Sequence, residues 1–195
     1  MADAQSYQPP FRPDTLKDRP AGRLNEVLVL GSAHLSTLPA SFKLEMVEPL
    51  VRRLARWRPT AVASENISGL QCDAMRLQRE RQAEAVETYC YDPAAAGRAA
   101  GLDVTAANAE AERMLANWPD TPSPTQRRRL ALVFLAAGEP ASATVQWLRL
   151  PVAERRVDGS LTAELAADLQ ARTMKKSETE RIAAQLAARS GLERV

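Results

Sequence analysis

Two short apolar runs constrain this chain more than any other feature. Residues 26–34 read Glu-Val-Leu-Val-Leu-Gly-Ser-Ala-His, and residues 60–66 read Thr-Ala-Val-Ala-Ser-Glu-Asn. An apolar run of this length bounded by Gly or Pro has the pattern of a buried parallel strand, because both faces of such a strand are covered. Between the runs, Val47, Leu50, Val51, Leu54 and Trp57 recur at steps of three and four, the spacing of one helix face. Ser41 can cap this helix, or the helix starts near Glu48 with Pro49 at its first position, and Pro59 stops it. The unit 26–65 therefore predicts strand–helix–strand. A right-handed crossover places both strand ends on one edge of the sheet, the edge where open α/β sheets bind ligands. His34, the only histidine, and Glu65 each stand just past the end of a run. Neighbouring strands lie about 4.8 Å apart, so both side chains can reach one ligand.

The rest of the chain reads as helix. Residues 69–190 show helical patterns over about 69–88, 105–117, 124–137 and 161–172, with an alanine-rich piece broken by Gly97 and Gly101. The 124–137 helix is expected to bury Leu130, Val133, Phe134 and Ala137. The last helix is expected from the capping-box signature Ser177-Glu178-Thr179-Glu180 to Gly191. The fold class predicted is α/β, a small parallel sheet with a strand–helix–strand opening and a large, mainly helical layer or cap. Residues 1–22, polar and proline-bearing, form an extended arm offering Tyr7 and Phe11, and 23–195 form a single α/β domain. Within it, 23–68 is the site unit, 69–190 the helical layer and 192–195 the start of a truncated strand. Gly191-Leu192-Glu193-Arg194-Val195 reads as a helix stop entering a strand, so a longer parent chain or a clipped edge strand is expected.

Charge and composition narrow the class. With 45% hydrophobic and 26% charged residues the chain is globular in type, and a net charge of +2 gives no electrostatic reason for nucleic acid or an acidic membrane as partner. No apolar run approaches the ~20 residues of a membrane span. The start lacks the apolar core of a secretory signal, so a cytoplasmic location is the default expectation. Cys72 and Cys90 have no metal-ligand spacing and are expected as reduced, partly buried thiols. The basic runs 52–58 and 127–129 are expected as solvated helix faces, although the second, near a helix start, leaves room for an anion or a partner.

His34 and Glu65 suit two chemistries. They can act as a general base and its orienting carboxylate. They can also supply two of the three or four ligands of a divalent metal, Mn, Co or Zn, with Asp73 or Asp103 as a third that no spacing selects. The plain alternatives are a strand-end histidine bonded to backbone and a carboxylate serving a helix dipole or an ion pair. Ser32, Ser36 and Asn66 either orient a substrate or simply cap and turn. There is no glycine-rich phosphate loop and no Gly-x-Ser-x-Gly elbow.

The sequence Gly31-Ser32-Ala33-His34-Leu35, the helix end Arg56-Trp57-Arg58-Pro59-Thr60 and the run Ala61-Val62-Ala63-Ser64-Glu65 resemble the opening of the TraB/GumN/Tiki superfamily, nearest a bacterial branch of unknown function. The likeness covers about residues 26–66. It implies a metallohydrolase-like α/β fold in two related halves. In the Tiki branch it implies metal-dependent proteolysis by two Gly-x-x-His motifs and a glutamate. By position, His34 becomes a metal ligand or catalytic base, Glu65 a ligand or general acid/base, and Gly31 a point of close backbone approach. The second motif is missing, since the chain has one histidine. The function expected is a metal-dependent hydrolase of peptide, ester or amide bonds, or its amino-terminal part. Erythromycin-esterase and haem-binding ChaN-like folds are also similar. The alternative is therefore an inactive ligand- or haem-binding domain, or a protein-interaction surface on 69–190.

Overall fold

In the computed structural model the described residues are 22, 25–157, 159 and 161–195. The chain divides into two compact units, Met1–Gly31 and Ser32–Val195. The first is described over residues 22 and 25–31, which are exposed and belong to neither helix nor strand. The expected arm, with Tyr7 and Phe11, otherwise lies outside the described residues.

The second unit is helical, and the described residues contain no strand. This corrects the α/β expectation and its parallel sheet. Residues 27–30 and 60–64 carry strand chemistry, yet a strand exists only through a ladder of hydrogen bonds to a neighbour, and neither run has one. Val27 and Val29 are 82% and 89% exposed, the opposite of the burial their sequence predicts. β propensity is a preference for a half-buried pleated surface, and without that surface it decides nothing. The last residues, 192–195, are likewise not a strand.

Nine α-helices are present among the described residues. They are α1 (Glu48–Trp57), α2 (Gly69–Arg76), α3 (Arg79–Tyr89), α4 (Ala94–Ala100), α5 (Val104–Ala116), α6 (Pro124–Ala136), α7 (Pro140–Leu148), α8 (Ala163–Arg172) and α9 (Ala184–Arg189). A π turn, Thr179–Ala183, leads directly into α9, and 3-10 turns at Leu35–Thr37 and Leu44–Val47 precede α1. Helix α1 starts at Glu48, so Pro49 sits in the first turn, where its missing N–H costs nothing.

Helix α6 is the centre. Ser123 caps it, Gln126 completes the capping box, and Pro124 occupies the first turn. Leu130, Ala131, Leu132, Val133 and Leu135 are each 0% exposed. The expected single stripe is therefore too narrow: a helix apolar all round must be covered on every side. Helices α4, α5 and α7 pack against it, and Leu165 and Leu169 of α8 join the same core. Each large side chain buried this way stabilises by about 1.5–3 kcal/mol.

Two further expectations are corrected. Arg127 and Arg128 are buried rather than solvated. Arg127 Nη1 lies 2.9 Å from Gln146 Oε1 and 2.8 Å from Glu193 Oε2, and Arg128 Nη1 lies 3.0 Å from Glu154 Oε2. Arg149 Nη1 also reaches Glu193, at 2.8 Å, so residues 191–195 are tied down along α7. The partners lie far along the chain, beyond what local charge pattern can show. Cys72 and Cys90 form a disulfide, with Cα atoms 5.7 Å apart, where reduced thiols were expected. Spacing alone did not reveal that the α2–α3 hairpin brings them together. Helix α3 has no buried side chain; the disulfide and the bond from Arg76 Nη2 to the Tyr91 carbonyl, 2.5 Å, tie its end to α2.

Gly69 and Gly138 mark a backbone-on-backbone contact. A Cβ on Gly69 would stand 1.8 Å from the Ala137 carbonyl oxygen, and one on Gly138 would stand 2.7 Å from Gly69 Cα. Glu139 Oε1 accepts the Gly69 N–H at 2.8 Å. Gly69→Ala is expected to lower stability by about 3 kcal/mol, read from the urea midpoint, because neither backbone can yield. Reduction of the disulfide is expected to raise amide exchange across 79–89 while leaving α6 protected. The constraint on a loop of this length is worth about 3 kcal/mol.

Candidate functional site

The site gathers at the start of the last helix. Within the π turn, Thr179, Glu180, Ile182 and Ala183 are all buried. Such wide turns recur at functional positions. Ile182 and Leu186 pack with Leu35, Val47, Val51 and Leu54, which fixes the helix against α1 and against the loop that follows His34.

Two neighbouring residues of this helix end hold two distant loops. Glu178 Oε1 accepts the Leu35 N–H at 2.8 Å and lies 3.3 Å from His34 Nδ1. Thr179 Oγ1 donates to Asn66 Oδ1 at 3.1 Å. The His34 carbonyl accepts the Thr37 N–H at 3.0 Å and the Thr37 hydroxyl at 2.8 Å, closing the 3-10 turn. The backbone of His34 is thus set by that turn and by buried Leu35, while its side chain stays 70% exposed.

Of the residues expected at a site, His34 and Asn66 are brought to one helix end. Glu65 is exposed, and no hydrogen bond or ion pair reaches it among the described residues; the carboxylate beside His34 is Glu178. Ser32 and Ser36 are exposed and take no hydrogen bond among the described residues. Among the described residues a Cβ on Gly31 would meet no atom within 4 Å, so the close backbone approach expected there is not made by them. Asp103 Oδ1 accepts the Ala106 N–H at 2.7 Å and caps α5, and Asp73 lies on α2. Among the described residues no three His, Cys, Asp or Glu side chains gather as a metal needs. Among the described residues His34 and Glu178 supply two donors, where a catalytic zinc takes three from the protein.

A buried charge cluster lies next along the helix. Glu180 is 4% exposed, with Oε1 3.2 Å from Arg172 Nη1. Arg172 Nε lies 2.9 Å from Asp168 Oδ2, and its guanidinium stacks 4.8 Å from the Tyr91 ring centre. Burial pushes the Glu180 carboxyl up, with Arg172 opposing. Burial, aided by Asp168, pushes the Tyr91 hydroxyl up to about 12. Glu180 Oε2 and Arg181 Nε are buried without a hydrogen-bond partner. The capping box expected at 177–180 is therefore not made, because the Glu180 side chain turns inward to Arg172. Glu178 was legible only as an acid in that signature, and no local spacing links it to a loop 143 residues away.

The chain matches no family model, no curated protein and no solved structure. Among the described residues no helix is long and apolar enough to cross a membrane.

The raised Glu180 carboxyl has a definite sign. The folded state holds this proton more tightly than the unfolded chain, so its effect on stability is felt above the ordinary value of 4.5 and destabilises as pH rises through the raised value. Glu180→Gln removes this slope. The stability of wild type relative to the variant is expected to fall as pH rises from about 4.5, measured by urea unfolding at stepped pH. Glu48 and Glu154, whose carboxyls Arg189 and Arg128 hold low, contribute the opposite slope to both proteins and cancel in the difference.

Proposed function

We propose that the chain is a hydrolase of ester, amide or peptide bonds, with His34 as general base and Glu178 as its orienting carboxylate. The observation that supports this reading is the placement of Glu178 Oε1, 3.3 Å from His34 Nδ1 and pinned by the Leu35 N–H at 2.8 Å. A carboxylate at Nδ1 favours the tautomer protonated there, and that leaves the Nε2 lone pair to accept a proton. The exposed ring gives water and substrate access to Nε2.

The steps follow from these groups. Nε2 takes a proton from water as the oxygen attacks the carbonyl carbon, and the imidazolium is stabilised by Glu178. Asn66 Oδ1 is engaged by Thr179, which turns its amide toward donation by Nδ2, and an amide donor suits a carbonyl oxygen as it gains negative charge. Collapse of the tetrahedral adduct returns the proton from Nε2 to the leaving oxygen or nitrogen.

A panel of chromogenic esters, anilides and quenched-fluorescence peptides tests the reading. Turnover above the buffer rate is expected. His34→Ala should lower kcat/KM by about a hundredfold or more, and Glu178→Gln by about tenfold, with unchanged thermal unfolding. Glu65→Ala should leave it unaltered. Absence of turnover across the panel, or turnover indifferent to His34→Ala, sinks the proposal.

A further inference from the structure

A second polar site lies at the opposite end of the last helix. A cleft of about 400 Å³ opens where α1 and α9 both stop, lined by Arg58, Pro59, Thr60, Arg189, Ser190 and Leu192. At 1.5 Å per residue it is about 16 Å of helix away from Glu178. It shares no residue with the His34 site.

Arg58 is the first unexplained feature. Its φ of 57° and ψ of 58° are left-handed, and it is the only non-glycine residue at positive φ among the described residues. The conformation closes α1 before Pro59, a place that glycine fills without a Cβ penalty. Asparagine is the next-best occupant. The helix dipole favours a cation at this C-cap, but it does not require a side chain on the left-handed residue itself. Its side chain is exposed and makes no hydrogen bond or ion pair among the described residues, so a cation is left unmatched at the cleft.

Ser190 is the second. Its Oγ is buried and has no hydrogen-bond partner. A hydroxyl in that state is costly unless something completes it. Arg189 is the third. Glu48 grips its two terminal nitrogens at 2.7 Å each, which holds the guanidinium in place beside the cleft. Among the described residues no carboxylate lines the cleft, and Pro59 and Leu192 supply apolar wall. Arginine pairs with carboxylate and phosphate alike, and the hydroxyls of Ser190 and Thr60 beside it offer donors for the third oxygen that only a tetrahedral oxyanion has. The apolar wall suits a carbon body attached to it. A cleft of this size is ample for a small metabolite.

We propose that this cleft binds a small organic phosphate monoester, with Arg58 as the anchoring cation and the Ser190 and Thr60 hydroxyls as further partners. The left-handed arginine then represents stability given up for binding.

Isothermal titration of the full chain tests this, with glycerol 3-phosphate, inorganic phosphate and glycerol as probes and potassium chloride matching ionic strength. Saturable binding of the ester is expected, tighter than that of free phosphate, with none for glycerol. Arg58→Gly is expected to weaken it at least tenfold while the unliganded Tm stays equal or rises, because glycine relieves the backbone. Arg58→Gln, which removes the charge but keeps a side chain, is expected to show the same loss. The proposal is overturned by the absence of saturable ester binding, by an ester bound no more tightly than free phosphate, or by wild-type affinity in both Arg58 variants.

Discussion

The unit 32–195 depends on the burial of α6. A helix with Leu130, Leu132, Val133, Phe134 and Leu135 pointing in every direction has no solvent face beyond its first turn. Its neighbours must surround it, and α4, α5, α7 and α8 do so. The backbone contact of Gly69 with Gly138 then brings the start of α2 against the end of this core helix. Small residues permit that approach, since a Cβ on Gly69 would strike the Ala137 carbonyl and one on Gly138 the Gly69 Cα.

Charge is organised around the same core. Arg127 and Arg128 lie near the start of α6, where the helix dipole is unfavourable to cations, so the carboxylates of Glu193 and Glu154 must offset that cost as well as the desolvation. Arg172 plays the corresponding part between Asp168, Glu180 and the Tyr91 ring. Each cluster joins segments distant in sequence, so these ion pairs help select one arrangement of helices among several that would bury similar apolar area.

The last helix connects two polar sites. Its first residues hold the loops bearing His34 and Asn66, and its final residues border the cleft beside Arg58. Between them, Ile182, Ala183, Leu186 and Ala187 are buried and give the helix its fixed seat. Polar groups at both ends are thus held by an apolar middle, an arrangement that keeps their side chains in place without burying them.

Local grammar determined much of this protein. Pro49 and Pro59 bracketed α1, Pro124 and Gly138 bracketed α6, and the lone histidine singled out the loop at residue 34, because caps, breakers and rare residues act over a few neighbours. Tertiary structure decided what those neighbours could not. The runs at 27–30 and 60–64 are strand-like by composition, but a sheet is a relation between segments and none formed among the described residues. Glu178 rather than Glu65 came to His34, Arg127 and Arg128 went inside, and Cys72 found Cys90. In each case the outcome turned on a contact between residues remote along the chain, and hydrophobic period and charge pattern carry no information about such contacts.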